Sequence, residues 1–121
     1  MKKIGLLGST GSIGTQVLDV IKLIEDEYKI NYLSTYENAE LLIHQAKRFN
    51  PRSVCIVNKK KYLKVKNELR PQGIDVLYGR DGLLELSSNT NIDLVINGLV
   101  GHEGMEPTFT AVSNGIDVAL A

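Results

Sequence analysis

Two hydrophobic spacings alternate along this chain. Ile4 to Leu7 is a short apolar run, as a buried strand requires. Ile13, Val17, Val20, Ile21 and Ile24 then recur at helical spacing and predict an amphipathic helix packed by that face. Lys29 to Ser34 reads as a second strand with Ile30, Tyr32 and Leu33 inward. Asn38 suits a helix N-cap, Ala39, Leu42, Ile43, Ala46 and Phe49 form the next stripe, and Asn50-Pro51 ends it. Val54 to Val57 is wholly apolar, the kind of strand a parallel sheet buries on both faces. Tyr62, Val65 and Leu69 mark a third helix, rich in lysine elsewhere, which Pro71-Gln-Gly73 breaks. Asp75 to Tyr78 is a fourth strand, Leu83, Leu84 and Leu86 a short helix, and Asp93 to Asn97 a fifth strand. Pro107 fits the first turn of a last helix with Phe109, Ala111 and Val112 as its core residues. Gly115 stops it, and Asp117 to Ala121 is a sixth strand.

Strict alternation of strand and helix predicts an α/β fold: a doubly wound, mostly parallel sheet of about six strands with helices on both faces. The strand order expected is 3-2-1-4-5-6, with a ligand crevice at the carboxyl ends of strands 1 and 4. Two glycine-rich stretches, Gly8–Gly14 and Gly98–Gly104, each follow a strand and so open at one edge of the sheet.

The first stretch, Gly8-Ser-Thr-Gly11-Ser-Ile-Gly14, stands between a strand and a helix. A dinucleotide-binding turn needs that context: glycines let the backbone turn, approach a pyrophosphate and pack helix on strand. The phosphate sits on free N–H groups at the helix start, where the macrodipole favours an anion. Gly11 and Gly14 match the second and third glycines of G-x-G-x-x-G. Ser9 stands at the first, and the turn glycine falls one residue earlier, at Gly8. Ser9, Thr10 and Ser12 add hydroxyls able to donate to phosphate oxygens.

Composition narrows the field. The 121 residues suit one domain, with 43% hydrophobic and 23% charged residues. Fourteen basic residues balance fourteen acidic ones, so net charge argues for neither a nucleic-acid nor a membrane partner. The lysine-rich third helix reads as a solvated face. Cys55, inside an apolar run, reads as a core residue. No leader or membrane-length run is present, so the cytoplasm is the expected compartment. His44 reads as a surface or boundary residue. His102 and Glu103 lack a third ligand and the spacing of a metal site, and read as part of the second glycine-rich loop. The alternation ends on a strand without room for a substrate-binding partner, so residues 1–121 are expected to be the dinucleotide-binding domain of a longer protein.

With both glycine loops placed, the chain resembles the N-terminal NADPH-binding domain of the 1-deoxy-D-xylulose 5-phosphate reductoisomerase family. The resemblance rests on Gly8–Gly14 with Thr15-Gln16 and Leu18-Asp19-Val20, on Phe49-Asn-Pro51, and on Val100-Gly101, Gly104, Pro107-Thr108 and Ala119-Leu-Ala121. It covers the whole chain. It implies NADPH as cofactor, Mg²⁺ or Mn²⁺ held by carboxylates beyond Ala121, and a phosphorylated sugar as substrate. It also implies a homodimer and an isoprenoid-pathway product, 2-C-methyl-D-erythritol 4-phosphate. These 121 residues alone are then expected to be inactive. The resemblance further implies that Thr10, Gly11, Ser12 and Ile13 contact pyrophosphate beside the Gly8 turn. Tyr36, Glu37 and Asn38 align with a loop holding the adenosine 2′-phosphate, and Gly98 and Leu99 lie near the nicotinamide ribose.

Glu37 departs from the family's frequent basic residue at that place, and an acidic residue there suits the free 2′-OH of NAD. If Glu37 points to solvent, Ser34, Thr35 and Asn38 remain to hold a 2′-phosphate. Two rival readings share the pattern: the cofactor domain of another oxidoreductase, whose catalytic cysteine Cys55 could not be, and a non-catalytic nucleotide-sensing module.

Overall fold

In the computed structural model the described residues are 1–99 and 101–120, with residues 101 and 102 as backbone only. Among them, six strands alternate with five α-helices. The strands are β1 (Lys2–Leu7), β2 (Tyr28–Thr35), β3 (Ser53–Ile56), β4 (Asp75–Tyr78), β5 (Leu94–Asn97) and β6 (Asp117–Leu120). The helices are α1 (Ser12–Ile21), α2 (Ala39–Phe49), α3 (Tyr62–Leu69), α4 (Gly79–Ser87) and α5 (Met105–Ser113). Every strand pairing is parallel. This is the α/β, Rossmann-like sheet that the alternation predicts, and no described helix is long and apolar enough to cross a membrane.

The strand order is β4-β3-β2-β1-β5-β6, not 3-2-1-4-5-6. The fourth strand steps outward beside β3, with Val54 opposite Val76, instead of crossing to the far side of β1. The winding therefore reverses one unit later. Because β-α-β crossovers are right-handed, outward and returning halves put their helices on opposite faces. Leu18, Ile21, Leu42, Ala46, Val65 and Leu69 of α1–α3 pack into one core. Leu83, Leu86 and Ala111 of α4 and α5 pack into the other, with Tyr32, Cys55 and Val95. The switch point lies between β1 and β5, so the crevice predicted beside strand 4 stands beside strand 5.

Two helix faces also differ from expectation. On α1 the buried residues are Gly14, Leu18 and Ile21, whereas Ile13 and Val20 are exposed and Val17 is half-buried. A Cβ on Gly14 would lie 2.2 Å from the Gly8 carbonyl oxygen and 2.6 Å from the Ser9 Cα. Close backbone approach at Gly14 thus sets the roll of the helix and turns Ile13 and Val20 outward, while Val17 packs at the margin of the core. On α5, Ala111 is buried, but Phe109 is 73% exposed and Val112 58%. There Asn97 sets the roll by donating to the Gly104 carbonyl at 2.9 Å and to the Thr108 hydroxyl at 2.6 Å. That draws the Pro107–Thr108–Ala111 side of the helix inward.

Candidate cofactor site

The chain leaves β1 into a turn at Gly8, whose φ of 75° favours glycine. The end of β2 holds this turn. Gly8 N–H donates to the Ser34 hydroxyl at 3.1 Å, and Ser9 N–H donates to the Ser34 carbonyl at 2.8 Å. The Ser9 hydroxyl donates to the same carbonyl at 3.2 Å, and the Thr10 and Thr35 hydroxyls share a hydrogen bond of 2.5 Å. From below, Gln45 of α2 donates to the Ser9 carbonyl at 2.9 Å.

These bonds reassign several hydroxyls. Ser9 is fully buried and points into the scaffold, away from any ligand. Ser34 and Thr35 are buried too: the Ser34 hydroxyl accepts from the turn and that of Thr35 is paired with Thr10, although both residues still line the neighbouring cavity. Ser12 is different: it is exposed, and its hydroxyl accepts from Gln16 at 3.3 Å, leaving its own proton to give.

The start of α1 is open. Its N-cap, Gly11, makes no side-chain cap, and the first turn carries no acidic residue. No described group accepts the N–H of Ser12 or Ile13. By contrast, α2 is capped by the Asn38 side chain, which accepts from Leu41 N–H at 3.2 Å. Unsatisfied N–H groups and the positive end of the helix dipole together suit the start of α1 to an anion. The glycines divide the work. At Gly11 (φ −80°, ψ 179°) a Cβ would meet only the Gly8 carbonyl, at 3.7 Å, so the space in front of it is open.

The second glycine loop packs on the first. Gly98 N–H donates to the Leu7 carbonyl at 2.9 Å, and a Cβ on Gly98 would lie 3.1 Å from that oxygen. A Cβ on Gly8 would meet Leu99 at 3.0 Å. Asn97, 2% exposed, organises this loop by accepting from Leu99 N–H at 2.9 Å while donating to Gly104 and Thr108. Sequence reading missed Asn97, Ser34 and Gln45 as the parts that hold both loops. The one available signal was a polar residue interrupting an apolar stripe, as Gln45 does between Leu42 and Ala46.

A cavity of about 570 Å³ opens beside the two loops. Ser34 and Thr35 line it from the end of β2, Tyr36 and Val57 from just after β2 and β3, Arg80 and Leu83 from α4, and Leu99 and Glu103 from the second loop. Tyr36 is 62% exposed and free to turn toward an occupant. Glu37 does not line the cavity: its carboxylate accepts from the Asn58 amide at 3.4 Å, next to the turn Lys59–Lys61. The site residues thus fall in three groups along one sheet edge. Gly8, Thr10, Gly11, Ser12 and Ile13 stand at the helix start, Tyr36, Glu37 and Asn38 after β2, and Gly98 and Leu99 after β5. The His102 side chain lies outside the described residues. Among those described, no cluster of three metal-ligating side chains exists. Cys55 is buried, and burial pushes its thiol up to about 12, so it is no nucleophile at neutral pH.

A protein-family comparison adds to this geometry, matching the model of 1-deoxy-D-xylulose 5-phosphate reductoisomerase across residues 4–121. The chain belongs to the 1-deoxy-D-xylulose 5-phosphate reductoisomerase family. Among curated members, the reductoisomerase of Chloroherpeton thalassium is 42% identical over 121 residues, which are all of this chain and 31% of that protein. The Halothermothrix orenii enzyme is 42% identical over 120 residues, 99% of this chain and 31% of its own length. The chain thus spans about three tenths of the length of these relatives. Among solved structures, the Zymomonas mobilis reductoisomerase in complex with NADPH superposes with a TM-score of 0.93 at 31% identity, covering 99% of this chain and 31% of that one. A reductoisomerase complex with NADPH, fosmidomycin and magnesium gives a TM-score of 0.94 at 28% identity, with 100% and 30% covered.

Proposed function

We propose that residues 1–121 form the NADPH-binding domain of a 1-deoxy-D-xylulose 5-phosphate reductoisomerase. The whole protein rearranges and reduces that sugar phosphate to 2-C-methyl-D-erythritol 4-phosphate as a cytoplasmic homodimer. The observation that carries the reading is the uncapped start of α1, built with open space before Gly11 and backed by the second glycine loop. The residues present fit a dinucleotide. The N–H groups of Ser12 and Ile13 and the Ser12 hydroxyl receive the pyrophosphate, beside Thr10. Gly8 and Gly98 keep the backbone thin where the chain of the cofactor passes. Tyr36 and Leu99 close on its adenosine and ribose parts, and Asn38 and Glu37 stand at the 2′-phosphate end. NADPH supplies the hydride. The divalent cation, Mg²⁺ or Mn²⁺, is held by carboxylates of the whole protein outside these 121 residues.

For the choice between NADP and NAD, the Glu37–Asn58 contact favours NADP. It draws the carboxylate toward the lysine turn and off the cavity, and the family structures above contain NADPH. The test is a fluorescence titration with NADPH and NADH. Saturable binding, tighter for NADPH, is expected, and failure of both cofactors to bind would remove the proposal. Turnover of 1-deoxy-D-xylulose 5-phosphate with Mg²⁺ by the full-length protein checks the remainder, and these 121 residues alone are expected to give none.

A further inference from the structure

Arg80, at the start of α4, is placed unlike the other basic residues of the chain. It is fixed at two points: Nε donates to a Glu106 carboxylate oxygen at 3.2 Å and Nη1 to the Glu103 carbonyl at 3.1 Å. Its side chain nevertheless remains 39% exposed and forms part of the wall of the 570 Å³ cavity. Beside it the wall carries a phenol, Tyr36, and three aliphatic side chains, Val57, Leu83 and Leu99, with Ser34, Thr35 and Glu103 as its other polar members. This chemistry suits a flat aromatic heterocycle: aliphatic contacts for its edges, and a planar cation for its π face. It does not suit a phosphate, since the Glu106 carboxylate already balances the guanidinium charge.

We infer that Arg80 is an adenine-binding residue, its tethered guanidinium stacking on the adenine ring of the bound dinucleotide. The inference rests on the cofactor reading above and adds to it a residue that glycine motifs cannot reveal. Tethering matters because an arginine already held by Glu103 and Glu106 loses little side-chain freedom when a ring settles on it. The tether also joins the adenine cavity to the loop at the nicotinamide end, because Glu103 and Glu106 flank Gly104.

The experiment compares wild type, Arg80→Ala and Glu106→Gln, each first shown to be folded by circular dichroism. NADPH, NADH and reduced nicotinamide mononucleotide are titrated by fluorescence. Arg80→Ala is expected to weaken NADPH and NADH alike, by about five- to tenfold, as a cation–π contact of this kind implies. The mononucleotide, which lacks adenine, keeps its affinity. Glu106→Gln keeps the guanidinium and the tether, since the amide oxygen still accepts from Nε and Nη1 still donates to the Glu103 carbonyl, and stays within about twofold of wild type for all three. A loss confined to NADPH overturns the assignment, because it places Arg80 on the 2′-phosphate. A loss shared by the mononucleotide also overturns it, because it makes Arg80 a brace for the second loop. If Arg80→Ala binds like wild type, the assignment falls while the cofactor reading stands. If wild type binds neither dinucleotide, both fall.

Discussion

Gly11 and Gly14 lie one helical turn apart, yet the structure gives them opposite duties that alanine substitutions separate. At Gly14 a Cβ would lie 2.2 Å from the Gly8 carbonyl oxygen and 2.7 Å from the Ser9 carbonyl carbon. That is roughly 1 Å inside van der Waals contact, and the neighbour is backbone, so α1 must shift off the turn. With rigid backbone as the neighbour, overpacking of this kind costs about 2–3 kcal/mol, partly offset by the ~1 kcal/mol that alanine gains over glycine in a helix. Gly14→Ala is therefore expected to lose about 1–2 kcal/mol and roughly 5–10 °C of melting temperature. At Gly11 the backbone is extended and the nearest atom to a Cβ is 3.7 Å away. The poorer N-cap and the stiffer unfolded chain nearly cancel, leaving stability within about 0.5 kcal/mol. The new methyl then stands where the pyrophosphate meets Ser12 and Ile13. Losing one charge-assisted hydrogen bond, about 1.5–3 kcal/mol, weakens NADPH by roughly ten- to a hundredfold. Urea unfolding and NADPH fluorescence on the two variants decide it. A Gly11→Ala protein that binds like wild type, or a Gly14→Ala protein as stable as wild type, would refute the division of labour.

Asn97→Ala strands the Leu99 N–H, the Gly104 carbonyl and the Thr108 hydroxyl, and is expected to cost about 1–3 kcal/mol in urea unfolding, with amide shift changes centred on residues 98–108. Glu37→Lys removes a carboxylate near the 2′-phosphate end and is expected to raise NADPH affinity a few-fold at low salt. NADH affinity should be unchanged and the gain lost as salt rises, which calorimetry at two ionic strengths checks. Cys55, with its folded pKa raised to about 12, favours folding fully below its unfolded value near 9.0, and that contribution is lost as pH rises from there toward 12. Wild type should therefore lose stability faster than Cys55→Ala over that window, and its native thiol should not react with a disulfide reagent at pH 8. Glu40 and Glu68 are held below the usual carboxylate range, each chiefly by hydrogen bonding to a lysine, Lys64 and Lys47. Their contribution is present above the unfolded carboxylate value and is lost as pH falls through the lowered one, so Lys64→Ala should flatten the acid limb of a melting curve measured against pH.

The alternation of apolar runs was enough to place all six strands and five helices, because buried strands and amphipathic helices differ in period. It could not place β4. An outward step and a crossing need the same apolar strand, and only the tertiary packing of α4 against β3 and β4 tells them apart. The roll of α1 was illegible for another reason. Hydropathy treats Gly14 as nearly neutral, while the residue that comes closest to the sheet is the one without a side chain. The same holds for α5, where Phe109 looks like a core residue and Asn97, a polar residue on another element, turns it outward. Glycine spacing and the flanking strand made the turn at Gly8 readable. The Ser9 hydroxyl looked available to a ligand, because a motif does not reveal which of its polar atoms the scaffold has already claimed.

The switch between β1 and β5 also sets an order of assembly. From β1 to β4 each strand lies beside its predecessor, so this half can grow by local steps with modest loop-closure cost. The pairing of β1 with β5 is the long-range closure: Lys3 N–H meets the Asp93 carboxylate at 2.7 Å across a separation of 90 residues. Gly8 and Gly98 face each other across this seam. The cleft is therefore complete only where the last unit is docked on β1, and any local opening of β5, α5 and β6 would abolish it. A ligand spanning both loops binds the closed form alone and acts as a latch on the seam, so that occupancy and completion of the fold become one equilibrium.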